Sequence, residues 1–174
     1  MIGNANYVNI SRFKNPANDA TAMAATLRSI GFEVIEQENL TRRAMIQVIR
    51  RFTDKLSPGG IALLFDADHG IQSQGANYLL PTDAVLAVED GLKYEALDVQ
   101  DIIDKLADAR VRLSVVIFDA CRDNPFKAFR SAVHGLAQID PPRGTVIAYS
   151  TSPGKVVAGY QNITGPTALA AAPC

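Results

Sequence analysis

Tryptophan is absent from this chain, cysteine occurs only twice, and the formal net charge is -1. Each shortage excludes something. Two cysteines as far apart as Cys121 and Cys174 make no disulfide framework, so a packed core must hold the fold. With 17 Lys and Arg set against 18 Asp and Glu, neither nucleic acid nor an anionic membrane is expected as a partner. No apolar run is long enough to span a bilayer. The start, Met1-Ile2-Gly3-Asn4, lacks the basic stretch and apolar run of a signal peptide. No Gly-rich phosphate loop follows an apolar run; Gly59-Gly60 precedes one instead, which argues against a nucleotide-binding domain. The expectation is a cytoplasmic protein whose thiols stay reduced.

What is present suits one domain over residues 1–174, with 48% hydrophobic and 20% charged residues. Short apolar runs at residues 31–37, 61–65, 113–118 and 145–149 read as strands, rich enough in β-branched residues to be buried on both faces. Amphipathic segments lie between them. Ala20, Met23, Ala24, Leu27 and Ile30 recur at helical spacing, with Gly31 as a C-terminal stop. Thr41 caps a second helix with Met45, Ile49, Phe52 and Leu56 on one face. Asp98 caps a third, with Val99, Ile102, Ile103 and Leu106 inward. The alternation predicts an α/β domain with a mainly parallel sheet. Both ends read short: only Met1 and Ile2 precede Gly3, and the end, Ala170-Ala171-Ala172-Pro173-Cys174, carries little information. Residues 122–143 form the longest irregular stretch, the kind of loop that is functional or disordered.

The chemistry gathers where the strands end. One run leads into Asp66-Ala67-Asp68-His69-Gly70 and the next into Asp119-Ala120-Cys121-Arg122-Asp123. Ligands of open α/β sheets bind outside the carboxyl ends of the strands. Neighbouring strands ending in this way would bring an imidazole and a thiol to one edge. Nucleophilic catalysis needs that pair, with the imidazole taking the thiol proton and later protonating the leaving amine. Gly70 would let a backbone N–H approach a substrate carbonyl, and the Cys121 N–H could be the second oxyanion donor. Taken singly, a cysteine after an apolar run is usually packing, and a histidine before glycine usually a turn residue.

Taken together, the motifs resemble a bacterial metacaspase-like (orthocaspase) domain, the p20-type catalytic region of the caspase-like peptidase C14 family. The matching stretches are Ile2-Gly3-Asn4-Ala5-Asn6-Tyr7, Asn15-Pro16-Ala17-Asn18-Asp19-Ala20, His69-Gly70-Ile71-Gln72, Asn77-Tyr78-Leu79-Leu80-Pro81-Thr82-Asp83-Ala84, Phe118-Asp119-Ala120-Cys121-Arg122-Asp123-Asn124-Pro125-Phe126 and Gly144-Thr145-Val146-Ile147-Ala148-Tyr149-Ser150-Thr151-Ser152-Pro153-Gly154. His69 also precedes Cys121 by about the 50 residues seen in caspases. The resemblance implies a three-layer α/β/α sandwich with its first strand and C-terminal part shortened. It implies a cysteine endopeptidase with a His69/Cys121 dyad, cutting protein or peptide substrates after Arg or Lys. Asp19 and Asp119 would then form the pocket for the basic side chain, since a carboxylate pair selects a cation. Residues 122–143 would be the activation or intersubunit loop, where Arg122, Lys127, Arg130 and Arg143 are either candidate points of self-cleavage or solvated loop charges. His134 reads as a loop residue. No cofactor is expected; calcium enters only because some family members require it, and Asp83, Glu89 and Asp90 fit no EF-hand spacing.

The chain departs from the family before the histidine. Asp66 stands where an aromatic is usual and Asp68 where glycine is usual. If that glycine needs a positive φ, aspartate suits it less well. Two carboxylates near His69 would favour its protonated form, which either holds a thiolate–imidazolium pair or hinders the base role. The competing expectation is therefore an impaired caspase-like module that binds peptides or partners.

Overall fold

The computed structural model describes residues 1–10, 12, 16–86, 88–119 and 136–149. Five parallel strands form the main sheet, in the order β2-β1-β3-β7-β8: β1 (Ile2–Gly3), β2 (Gln37–Glu38), β3 (Ile61–Ala67), β7 (Leu113–Phe118) and β8 (Thr145–Tyr149). A second, antiparallel sheet joins β4 (Gly70–Ser73), β5 (Ala76–Leu79) and β6 (Leu97–Asp98). The helices are α1 (Pro16–Ser29), α2 (Arg42–Asp54), the single turn α3 (Leu92–Glu95) and α4 (Val99–Asp108).

Two cores sandwich the main sheet. On one face Ala62 and Leu64 of β3 and Val116 and Phe118 of β7 pack against Met45 and Ile49 of α2 and against Ile102, Ile103 and Leu106 of α4. On the other, Phe65 and Ala67 of β3 meet Ala20, Ala24 and Leu27 of α1. This is the expected α/β/α sandwich. Helix α1 lies close to β1 because Gly3 has no side chain: a Cβ there would sit 2.7 Å from the Pro16 carbonyl oxygen. The expected caps are in place. Thr41 accepts from the Ala44 N–H at 3.3 Å, and Asp98 accepts from the Gln100 N–H at 2.8 Å. Asp83 adds an acceptor for the Arg42 N–H at 2.8 Å. Gly31, at φ 91, ends α1 with the Phe32 N–H on the Leu27 carbonyl and the Gly31 N–H on that of Arg28, a Schellman closure.

Several expectations fail in detail. The strand expected over residues 31–37 shrinks to Gln37–Glu38, because Phe32 and Val34 pack sideways on the α1 core instead of joining a ladder. Ile30, placed inward by helical spacing, is 67% exposed, because α1 has already ended at Ser29. Strands β7 and β8 are not buried on both faces: their burial alternates, and Val146 is 52% exposed. The β4–β5 hairpin was unforeseen. Gln74 and Gly75, at φ 51 and 82, close a two-residue turn between the paired Ser73 and Ala76.

Strand β1 pairs with β3 only at Asp66 and Ala67. Beside the earlier part of β3 lies a partly open, mainly apolar pocket of about 170 Å³, lined by Val34, Val48, Phe52, Ile61 and Leu63, with Glu33 and Lys55 also on its wall. Empty apolar space costs dispersion contacts, so filling it stabilises. Val48→Ile should raise stability by about 0.5–1 kcal/mol. Val99→Ile, at a position already fully enclosed, should lower it by about 1–3 kcal/mol. Urea unfolding of the two variants checks this; a loss at both positions would contradict the open cavity.

Candidate active site

Parallel pairing puts the carboxyl ends of β1, β3 and β7 on one edge. The site residues emerge there. Asp66 ends the β3–β7 ladder opposite Phe118, and the Asp119 N–H donates to the Asp66 carbonyl at 2.8 Å. His69 lies two residues beyond β3, where the chain turns from the parallel sheet into the antiparallel hairpin, and Gly70 opens β4 opposite Leu79.

The His69 backbone is held at both ends. Its N–H donates to the Tyr7 hydroxyl at 3.0 Å, and its carbonyl accepts from the Leu80 N–H at 2.9 Å. The same hydroxyl donates to the Leu80 carbonyl at 3.1 Å. The two rings meet edge to face, with centroids 4.7 Å apart and planes at 64°. Burial pushes the Tyr7 phenol well up, and the charge of Asp68 adds to this, so the hydroxyl stays a donor. His69 is 1% exposed. The loop bearing Tyr7 is held in turn. Asn39 accepts from the Ala5 and Asn6 N–H groups at 3.0 and 2.8 Å, and the Asn4 side chain accepts from the Leu40 N–H at 2.8 Å. Asn4 and Tyr7 carried no separate signal in the sequence beyond their place in a family motif.

Asp66 and Asp68 are fully buried, and no well-formed hydrogen bond reaches their oxygens; the Asn4 carboxamide beside Asp68 favours its charged form but does not outweigh burial. A buried carboxylate without donors is costly, and protonation relieves the cost. Burial pushes Asp68 well above the ordinary carboxyl range, and the Asp66 charge adds to this. Burial also raises Asp66, while hydrogen bonding with Asp68 and the Met1 amino group draw it back, to about 7. The pair is read as sharing a proton, one O–H donating to the other carboxyl. Positive φ among the described non-glycine residues occurs at Asn39, Gln74 and Arg110 only, so Asp68 needs no glycine-like backbone.

Asp19 and Asp119, expected to line one pocket, interact electrostatically. Asp19 stands in the first turn of α1 and Asp119 just past β7. Partial burial raises the Asp19 carboxyl, and the charge of Asp119 raises it further, which places the two acids as electrostatic neighbours. Cys121, with Arg122, Lys127, Arg130 and His134, lies outside the described residues. Of the expected loop over residues 122–143, the described part is irregular, with Leu136 buried in the core and Arg143 exposed in the turn before β8. Among the described residues no group of three His, Cys, Asp or Glu side chains could hold a metal, and no helix is long and apolar enough to cross a membrane. Two of the three acids weighed for calcium have hydrogen-bond partners: Asp83 accepts from the Arg42 N–H, and Glu89 accepts from the Ser73 hydroxyl at 2.5 Å.

A mainly parallel sheet flanked by helices is the framework that the sequence motifs anticipated, and comparison with known proteins agrees on the fold. The caspase domain model of peptidase C14 matches residues 1–168. The chain belongs to the caspase domain family. It is 30% identical over 122 residues to human mucosa-associated lymphoid tissue lymphoma translocation protein 1, covering 70% of this chain and 14% of that protein. The mouse homologue is 29% identical over the same share. The chain thus spans about one seventh of the length of the curated relatives it matches. Among solved structures, protein GSU0716 from Geobacter sulfurreducens superposes with a TM-score of 0.55 at 22% identity, over 70% of this chain and 49% of that one. That likeness supports the caspase-like fold.

The buried acids make stability depend on pH. The folded pair keeps protons that unfolded aspartates release near pH 4. The Asp66 part of this contribution is complete below about pH 4 and is lost as pH rises through about 7. Thermal unfolding from pH 5 to 8 should therefore show wild type losing stability relative to Asp66→Asn, by up to about 1.4 kcal/mol per pH unit. Parallel curves would contradict a proton held on the pair.

Proposed function

We propose that the chain is a cysteine endopeptidase of the metacaspase type, cutting proteins or peptides after Arg or Lys. Cys121 is the nucleophile and His69 its base. The thiolate attacks the scissile carbonyl carbon, His69 passes the thiol proton to the leaving amine, and water then hydrolyses the thioester. The N–H groups of Gly70 and Cys121 stabilise the oxyanion. The observation that supports the reading most is that Asp119, whose N–H is fixed to the Asp66 carbonyl, raises the Asp19 carboxyl through its charge at the edge where His69 emerges. Two acids held close together are stabilised by a cation between them, and a basic substrate side chain supplies one. A free thiol nucleophile fits a reducing, cytoplasmic setting. No step is routed through calcium.

The test is hydrolysis of fluorogenic Arg and Lys peptides. Cys121→Ala and His69→Ala should each lose about three orders of magnitude or more in kcat. Asp119→Asn should lower kcat/KM for Arg peptides by about tenfold or more. Wild type as inert as Cys121→Ala, in folded protein, would refute the assignment.

A second reading has one observation in its favour. His69 is 1% exposed, beneath Tyr7 and next to two buried acids. A closed histidine suits a caspase-like module that binds peptides or partners without cutting them. Asp68→Gly decides between the readings. Activity that appears only in this variant supports the binding module; activity already present in wild type removes it.

A further inference from the structure

The β4–β5 hairpin closes on Ser73 and Ala76, and its register runs back to Gly70 opposite Leu79, which puts His69 opposite Leu80. In an antiparallel ladder every second pair exchanges two N–H···O bonds. Counted from the closing pair, His69 and Leu80 form such a pair. Half of the exchange is direct: the Leu80 N–H donates to the His69 carbonyl at 2.9 Å. The return path runs through Tyr7. The His69 N–H donates to the Tyr7 hydroxyl at 3.0 Å, and that hydroxyl donates to the Leu80 carbonyl at 3.1 Å. A hydroxyl accepts and donates at once, so this one is inserted into the rung and holds that side of the pair apart. All three residues are at most 1% exposed, which leaves water little access to take its place.

The insert is itself fixed. Asn39 accepts from the Asn6 N–H at 2.8 Å, and the Val8 N–H donates to the Thr82 carbonyl at 3.0 Å. The chain is therefore tied on each side of Tyr7. From that support the phenol ring also meets the His69 imidazole edge to face.

We infer that Tyr7 is a positioning residue for His69: its hydroxyl, inserted in the His69–Leu80 rung, sets where the backbone leaves β3 for the hairpin, and its ring sets the tilt of the imidazole. It acts through His69 alone, and the inference rests on the reading of His69 as the base. A residue that only packed would change stability and leave the imidazole as it was. A positioning residue also changes rate, since small displacements of a reacting group cost large factors.

Tyr7→Phe removes the hydroxyl, keeps the ring, and frees the rung to close directly between His69 and Leu80. Ile103→Ala on α4 is a destabilising control in a separate core. The readouts are melting temperature, kcat and KM for an Arg peptide across pH, and the titration of the His69 imidazole by NMR, which needs no turnover. The chain has two histidines, so His134→Gln assigns the signals. Tyr7→Phe should lose about tenfold in kcat with KM nearly unchanged. Its imidazole titration and the acid limb of its kcat/KM profile should move together away from wild type. Ile103→Ala should melt earlier with both unmoved. Tyr7→Phe that melts earlier yet keeps wild-type kcat and imidazole titration would overturn the inference. If Tyr7→Phe does not fold, amide exchange in wild type decides. The His69 N–H should then exchange as slowly as the Leu80 N–H, and fast exchange at His69 alone would also overturn the inference. Wild-type protein inert towards peptides, with an imidazole titration that shifts in Tyr7→Phe but not in Ile103→Ala, would refute the base reading while upholding the role of Tyr7.

Discussion

Parallel pairing of β3 with β7, from Ile61 opposite Leu113 to Asp66 opposite Phe118, is the constraint from which the site follows. Parallel strands end on the same edge, so whatever follows one is delivered beside whatever follows the other. β1 runs parallel to both, which brings the loop from Asn4 to Tyr7 to that edge as well. Helix α1 starts close to the end of β1, over Gly3, and so presents Asp19 in its first turn near Asp119. Residues scattered from position 7 to 119 are thus gathered by one ladder and two short connections.

The edge is unusually polar for so buried a place. Asn4, Asp66, Asp68 and His69 are all at most 1% exposed. Buried polar groups are tolerated where they find partners. Asn4 meets this with the Leu40 N–H, and the His69 backbone with Tyr7 and Leu80. The two aspartates meet it by sharing a proton. In this chain the acids preceding His69 therefore add less negative charge than their number suggests. Near neutrality they are better described as a hydrogen-bonded carboxyl pair than as two anions pulling on an imidazolium.

Much of this was legible in the sequence, and the exceptions have physical causes. The runs at residues 113–118 and 145–149 match β7 and β8 at both ends, because short β-branched runs bounded by polar turns admit few other structures. Thr41 and Asp98 were readable as caps because their side chains satisfy a local need. The β4–β5 hairpin was missed because Gln74-Gly75 is a weak form of the Asn-Gly turn signal. The short β2 was overestimated because apolar residues such as Phe32 and Val34 can serve the core without a ladder. At the site, His69, Asp19 and Asp119 were named by type and order. The role of Tyr7 depends on a partner 62 residues away, and no local pattern encodes such a pairing.

The central claim is that this edge presents a reactive thiol to a basic side chain. Incubation with an arginine-based chloromethyl ketone peptide, followed by peptide mass spectrometry, tests nucleophile, access and charge preference at once. The account predicts one adduct, on Cys121, which is lost in His69→Ala and strongly reduced in Asp119→Asn. Folded protein that takes up no label, or that labels equally with an aspartate-based analogue, would contradict it.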